Sequence, residues 1–274
     1  MKKYGLLGGK LGHSLSPQIH ELFFRHTGLQ GSYELLETEL EALPERMGAL
    51  RQSFAGCNVT IPHKLHVMPL LDGIATEAQA IGAVNTIKFT ENGAYGHNTD
   101  YFGFGRMLEY NGVHVRGAVT AVLGSGGAAR AVVKYLADGG AEKIYLATRS
   151  PEKADRHFTE MAAQCEIIDY RRLEEIEGRL LVNCTPVGMF PKTDASPVNA
   201  GVSAAFEVST DLIYNPAQTL FMRQAENAGK KAFNGLFMLV AQAVAAQEIW
   251  QQQKYDSGLI VKIMQELEHG IWKI

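Results

Sequence analysis

Cysteine is scarce in this chain: three thiols, Cys57, Cys165 and Cys184, stand among 274 residues. An odd number, far apart and without C-x-x-C, points neither to a disulfide framework nor to a thiolate metal site, and leaves reduced, packed thiols. Long apolar runs are missing as well. The longest, Leu236 to Ala246, is broken by Gln242 and falls short of the ~20 residues of a bilayer span, so it reads as a buried helix. The opening residues, Met1 to Lys10, lack the apolar core of a signal peptide, from which a cytoplasmic location is expected. Neither sign of charge dominates: 26 basic and 29 acidic residues give −3, with no block of like charges. Neither nucleic acid nor an anionic membrane is therefore expected as partner. No H-E-x-x-H occurs, and His63 and His66 have no third ligand at suitable spacing, so no metal is expected. What is plentiful is apolar side chain, 46% of residues, enough for one large or two ordinary domains. A small-molecule substrate is the default partner, and a homodimer is an admissible assembly.

Short apolar runs alternate with helix-length amphipathic segments throughout, the signature of βαβ units. Strands are predicted at Tyr4 to Leu7, Tyr33 to Thr38, Gly56 to Val59, Val119 to Leu123, Lys143 to Thr148, Leu180 to Cys184 and Val208 to Ile213. The first helix takes Ser16 as N-cap, Pro17 as first residue and Gly28 as stop. Further helices are predicted at Leu43 to Ser53, after Pro62, after Thr76, after Asn98-Thr99-Asp100 to near Asn111-Gly112, and at Ala128 to Leu136. Others follow at Pro151 to Gln164, Thr219 to Gly229 and after Gly235.

Gly124-Ser125-Gly126-Gly127-Ala128-Ala129 fits G-x-G-x-x-G/A directly after an apolar strand and at the start of a helix. Glycines let the backbone approach a pyrophosphate, and the free N–H groups at the helix start favour the anion. Where an NAD site carries an acidic residue, after the second strand, this chain has Thr148-Arg149-Ser150 and then Lys153. A guanidinium with adjacent hydroxyls suits a 2′-phosphate, so NADP is expected as cofactor. Arg130 is either solvated or adds charge.

Because about 100 residues precede this nucleotide module, they form a separate part. Within them Lys64 follows a strand end, and Asp100 sits at another strand-to-helix junction. An ammonium and a carboxylate could there share one substrate hydroxyl. Burial would favour a neutral Lys64 and a neighbouring carboxylate a charged one, so which group holds the proton stays open. Asp100 also fits as a mere cap or ion-pair partner. Ser14 and Ser16 at a helix start offer donors to a carboxylate, although capping alone accounts for Ser16 equally well. Asn85 and Gln242 are amides able to give and take hydrogen bonds from a polyol, or to satisfy backbone groups. Cys184 has no evident base partner.

Eight motifs in order resemble the shikimate/quinate dehydrogenase family of the aromatic amino-acid (chorismate) pathway. They are Gly12-His13-Ser14-Leu15-Ser16-Pro17, Asn58-Val59-Thr60-Ile61-Pro62-His63-Lys64, Gly82-Ala83-Val84-Asn85-Thr86 and Asn98-Thr99-Asp100-Tyr101-Phe102-Gly103. Then come the Gly124 loop, Asn183-Cys184-Thr185-Pro186-Val187-Gly188-Met189, Asp211-Leu212-Ile213-Tyr214-Asn215-Pro216 and Asn234-Gly235-Leu236-Phe237-Met238-Leu239-Val240-Ala241-Gln242-Ala243. The resemblance implies an α/β protein of two domains. One is an N-terminal α/β substrate domain completed by C-terminal helices, 1–102 plus 237–274; the other is a Rossmann-type NADP-binding domain, 103–236. It implies an oxidoreductase that reduces 3-dehydroshikimate reversibly to shikimate, with domain closure bringing nicotinamide and substrate together.

Carried over residue by residue, it makes Lys64 and Asp100 the catalytic pair. Ser14, Ser16 and Tyr214 take the substrate carboxylate, and Thr60, Asn85 and Gln242 the ring hydroxyls. Gly124, Ser125, Gly126, Gly127 and Ala128 take the pyrophosphate; Thr148, Arg149, Ser150 and Lys153 the adenosine phosphate; Ile213, Gly235 and Met238 the nicotinamide. Two features depart from the family pattern. Gly9-Lys10-Leu11 stands where members often have Gly-x-Pro, and Thr148-Arg149 where they often have Asn-Arg. Two rivals are kept: an NAD-preferring quinate/shikimate dehydrogenase, and a non-catalytic ligand-binding regulator on the same scaffold.

Overall fold

The computed structural model describes residues 1–154 and 156–271. Position 155 and residues 272–274, which the predicted domain ranges include, lie outside the described residues. The chain divides into two compact units, Met1–Gly103 with Leu239–Ile274, and Phe104–Met238.

The first unit is built on six strands, β1 (Lys2–Gly8), β2 (Gly31–Glu37), β3 (Gly56–Val59), β4 (Gly73–Ile74), β5 (Thr86–Thr90) and β6 (Gly93–His97). Their order is β2-β1-β3-β5-β6-β4, with β3-β5 and β5-β6 antiparallel and the other pairs parallel. Side chains alternate across a strand, so the sheet has two covered faces. Leu7, Cys57, Val59 and Ile87 pack with Leu43, Met47 and Leu50 in one core. On the other face the chain returns late in the sequence: Trp250 stacks on Tyr4 at 4.6 Å and donates its indole N–H to the Ile87 carbonyl at 2.9 Å. A Cβ at Gly56 would lie 2.2 Å from Trp250 Nε1, so glycine there is what lets the indole seat on β3.

The second unit carries β7 (Val119–Leu123), β8 (Lys143–Ala147), β9 (Cys165–Ile168), β10 (Gly178–Asn183), β11 (Phe206–Asp211) and β12 (Lys231–Phe233). They run parallel in the order β12-β11-β10-β7-β8-β9. From β7 the next strands are added on one side, and from β10 on the other. The carboxyl ends of β7 and β10 therefore flank a topological switch point, where open parallel sheets bind ligands. Ala121, Leu123, Leu181, Phe206 and Phe221 lie in the core of this unit.

Three local expectations need correction, and one hairpin goes unpredicted. Ser16 does not cap the first helix: the helix is Ser16–Thr27, Leu15 precedes it without a side-chain cap, and Ser16 N–H donates to Ser14 Oγ at 3.2 Å. No α-helix follows Pro62; turns lead to a 3₁₀ turn at Met68–Leu70. There the Lys64 carbonyl, which would serve Met68 N–H in an α-helix, accepts instead from Val84 N–H at 2.9 Å. Pro151 to Gln164 is not one helix but a 3₁₀ turn, Pro151–Lys153, and a short helix, His157–Met161. In that short helix only Phe158 is buried, and one anchor cannot hold four turns whose stability must come from packing. The β5-β6 hairpin is absent from the predicted elements, although Asn92-Gly93 is a hairpin signal and Gly93 takes φ 133°.

Candidate active site

In the first unit, backbone hydrogen bonds tie together the segments that carry the candidate residues. Val59 N–H donates to the Asn85 carbonyl (2.8 Å), Val84 N–H to the Lys64 carbonyl (2.9 Å) and Asn85 N–H to the His97 carbonyl (3.0 Å). Lys64 and Asn85 thus share one framework with the end of β6, from which the chain enters the helix Thr99–Tyr110. Lys64 Nζ donates to Asp100 Oδ2 at 2.5 Å, and the two side chains are only 18% and 12% exposed. Asp100 lies in the first turn of that helix, where the dipole favours a carboxylate. With both partners so little exposed, the pair depends on its geometry. It holds one ammonium hydrogen bond and leaves the remaining donors and acceptors available to a third oxygen.

Beside it lies a buried polar cluster. Asn85 Oδ1 accepts from Thr99 N–H at 2.6 Å and from the Thr86 hydroxyl at 3.1 Å. Thr99 Oγ1 reaches Gln242 Oε1 at 3.5 Å, and Gln242 Nε2 donates to the Leu239 carbonyl at 2.8 Å. Asn58 Nδ2 donates to Thr86 Oγ1 at 3.0 Å, and Tyr33 donates its hydroxyl to Asn58 Oδ1 at 2.7 Å. Thr60 is half-buried just past β3. Ser14 and Ser16 touch through their hydroxyls at 3.2 Å, and Ser14 Oγ also accepts the Ser16 N–H at the helix start, so the Ser16 hydroxyl is the one not spent on the helix end. Tyr214 is not among these residues: it belongs to the second unit, where burial pushes its phenol up. Sequence reading misses Asn58, Thr86, Thr99 and Tyr33 as members of this network. The signal is present in β3, where Asn58 interrupts a fully buried strand and must find partners.

In the second unit the Gly124 loop leaves β7 at the switch point. Gly124 has φ +90°, and a Cβ there would lie 2.8 Å from Thr185 Cγ2 in the loop after β10. Gly126 precedes the helix Gly127–Asp138 without a side-chain cap, and a Cβ on it would meet nothing within 4 Å. Uncapped N–H groups thus face open space, a cradle for a diphosphate. After β8, Thr148 and Ser150 are half-buried while Arg149 and Lys153 are exposed. The charge of Arg149 reaches the half-buried Tyr170 phenol, which burial raises and Arg149 lowers. This donor set, two cations and two hydroxyls, fits an added phosphate on the ribose better than a free hydroxyl. Arg130 is not solvated: it is 8% exposed and lies 5.4 Å from the Phe158 ring centroid.

Ile213, Gly235 and Met238 are buried, and Gly235 N–H donates to the Ile213 carbonyl at 3.0 Å. A Cβ on Gly235 would lie 2.2 Å from the Leu212 carbonyl oxygen, so the close approach requires glycine. Asp211, at the end of β11, accepts from Asn183 Nδ2 (2.9 Å), Ile213 N–H (3.0 Å) and the Thr219 hydroxyl (2.7 Å). Burial nonetheless pushes its carboxyl up to about 6. Burial, then the Asp211 charge, pushes the Cys184 thiol up, which keeps it a poor nucleophile. Among the described residues no group of three His, Cys, Asp or Glu could hold a metal, and no helix is long and apolar enough to cross a membrane.

Residues 6–87 match the family model of the shikimate dehydrogenase substrate binding domain. A shikimate dehydrogenase (NADP(+)) of Clostridium beijerinckii is 45% identical over 260 residues, 94% of this chain and 95% of its own length. A chorismate mutase/shikimate 5-dehydrogenase fusion protein from Clostridium acetobutylicum superposes with a TM-score of 0.94 at 46% identity, covering 99% of this chain and 98% of that one. A shikimate 5-dehydrogenase from Thermus thermophilus, solved in complex with NADP(H) and shikimate, gives 0.88 at 36% identity, covering 97% and 99%.

Proposed function

The chain belongs to the shikimate dehydrogenase family, and from that premise we infer that it catalyses the reversible NADP-dependent reduction of 3-dehydroshikimate to shikimate. The observation that carries the chemistry is the sequestered Lys64–Asp100 pair, 2.5 Å apart. When bound, the cofactor supplies the hydride that reduces the ring carbonyl carbon, or takes it back from the carbinol. Lys64 and Asp100 move the proton on the oxygen of that carbon: toward it in reduction, away from it in oxidation. Because the two groups share a hydrogen bond, a proton given by one is replaced through the other.

Ser14 and Ser16 present hydroxyls to the substrate carboxylate, and Thr60, Asn85 and Gln242 fix the ring hydroxyls. That fixes which ring carbon faces the pair. The Gly124 to Ala128 backbone holds the pyrophosphate. Thr148, Arg149, Ser150 and Lys153 hold the adenosine phosphate, and Ile213, Gly235 and Met238 flank the nicotinamide. Substrate is thus assigned to 1–102 plus 237–274, and cofactor to 103–236 together with Met238 from the start of the returning segment. The near-neutral charge supports the absence of a nucleic-acid or anionic-membrane partner.

The test offers shikimate or quinate with NADP⁺ or NAD⁺ and follows the near-UV absorbance of reduced cofactor. Rapid turnover with shikimate and NADP⁺ alone is expected. Equal or better turnover with quinate and NAD⁺ would make it the NAD-preferring enzyme, and binding without turnover a regulator.

A further inference from the structure

Asp211 is the last residue of β11 and pairs across the sheet with Asn183, the last residue of β10. Its side chain is fully buried, and among the described residues no cation pairs with it. Three neutral donors hold it instead. Ile213 N–H, two residues on, donates to Oδ1 at 3.0 Å, the local turn that aspartate side chains form readily. The Thr219 hydroxyl donates to Oδ2 at 2.7 Å, and Thr219 Oγ1 in turn caps the helix Leu220–Asn227 by accepting Met222 N–H. One side chain thus grips both ends of the segment 212–219, which joins the strand to the helix.

That grip decides where Ile213 lies. With its N–H fixed on Asp211, Ile213 gives its carbonyl to Gly235 N–H at 3.0 Å, which ties the loop after β11 to the segment after β12. The third donor is less dependent on the carboxyl. Asn183 Nδ2 donates to Asp211 Oδ1 at 2.9 Å and also to the Val187 carbonyl at 3.4 Å, while Asn183 Oδ1 accepts the Thr185 N–H and hydroxyl at 2.9 and 2.7 Å. Asn183 therefore keeps its orientation without Asp211. Among the described residues, Ile213 N–H and the Thr219 hydroxyl have no other acceptor. Loss of the carboxyl is thus felt in the loop after β11, not in the loop after β10 that sets Thr185 against Gly124.

We propose that Asp211 is a positioning residue for hydride transfer: as the acceptor shared by Ile213 and Thr219 it fixes the loop after β11 against the nicotinamide, while the rest of the cofactor site stands without it. This rests on the reading that Ile213 and Gly235 flank the nicotinamide. Without the carboxyl, two buried donors lose their partner, and the segment between them shifts to find others. Because all three donors are neutral, the loop needs an acceptor at this place, and an amide oxygen supplies one as a carboxylate does.

The experiment compares wild type, Asp211→Ala and Asp211→Asn. Reduction of 3-dehydroshikimate is followed with NADPH and with NADPH deuterated at the transferred position. Calorimetry gives Kd for 2′-phospho-ADP-ribose, the cofactor without its nicotinamide, and the stoichiometry of that titration counts the folded sites by which kcat is corrected. In Asp211→Ala, kcat falls about ten- to a hundredfold, the cost of a displacement on the order of 1 Å at the reacting atoms. The isotope effect grows as hydride transfer becomes limiting, while Kd for 2′-phospho-ADP-ribose changes less than about twofold. Asp211→Asn, whose amide oxygen still accepts Ile213 N–H, keeps kcat within about threefold of wild type. Thr219→Val removes one donor and gives the same split at about three- to fivefold, so it carries the test if Asp211→Ala does not fold. A Kd weakened in step with kcat, an isotope effect that does not grow, or an Asp211→Asn as slow as Asp211→Ala overturns the proposal. Absence of turnover in the wild type, or of its binding to 2′-phospho-ADP-ribose, would instead overturn the reading on which it rests.

Discussion

Replacing Asp211 by asparagine should change how stability depends on pH more than it changes the fold. The carboxylate is buried at the end of β11 and accepts three hydrogen bonds, yet burial outweighs them and pushes the group up to about 6. Against ~3.9 for an unfolded aspartate, the folded chain binds this proton more tightly. The associated stability is thus fully present below about pH 3.9 and is lost as pH rises through about 6. Between about pH 5 and about pH 7.5 the loss amounts to roughly 1.4 kcal/mol, one unit of titration at ~1.36 kcal/mol.

In D211N the side-chain amide would still accept from Asn183 and Ile213 through its oxygen, while its nitrogen faces Thr219 Oγ1, so the loop keeps its anchor but no longer titrates. Urea unfolding of wild type and D211N at the two pH values measures this. Pulse labelling of Cys165 and Cys184 reports the second unit, and Cys57 the first, each resolved by mass. The wild type should lose roughly 1.4 kcal/mol more than the variant between the lower and the higher pH. The same pH dependence in both proteins would refute the reasoning, because it would mean that Asp211 ionises at no cost.

Lys64→Ala should lower kcat by about 10²- to 10⁴-fold, the usual loss of a positioned proton donor, while NADPH binding changes little. Unchanged turnover would remove Lys64 from the mechanism, and Asp100→Asn, read by the same assay, should impair kcat likewise. Arg149→Ala should raise KM for NADP⁺ by about ten- to a hundredfold, the effect of losing charge-assisted bonds, and leave NAD⁺ nearly untouched. An equal change for both cofactors would show that Arg149 does not meet the 2′-phosphate.

Where chemistry and position are local, the sequence is legible. The Gly124 turn, the strand before it and the helix after it lie within a few residues, and glycine is needed for reasons visible one residue at a time. Distance along the chain hides more. Nothing between Lys64 and Asp100 tells by periodicity that their side chains meet; residue types make the pair plausible, and ordered motifs make it specific. Ser16 reads as a cap because hydroxyls before a proline such as Pro17 usually are, whereas the helix starts one residue earlier and Ser14 serves the backbone instead. The helix after Pro62 fails because a carbonyl it needs is claimed by Val84, twenty residues away, a competition that propensity cannot register. Asn58 and Tyr33 escape assignment because their role emerges only across three strands.

The seat of Trp250 on β3 also bears on how the chain is made. The first unit cannot be finished from its own beginning: Tyr4, Gly56 and Ile87 receive their cover from a residue near the far end of the sequence. On the ribosome, at about 5–20 residues per second, residues 104–238 occupy on the order of ten seconds before Leu239 is even joined. The unit that is continuous in sequence has all of its own residues joined before the first unit does, although it is second to emerge. Meanwhile an apolar sheet face stands open to chaperones or to a neighbouring nascent chain. Released chains truncated after Met238 should accordingly be cut by protease within residues 1–103 while 104–238 resist, and equal resistance of both segments would contradict this dependence.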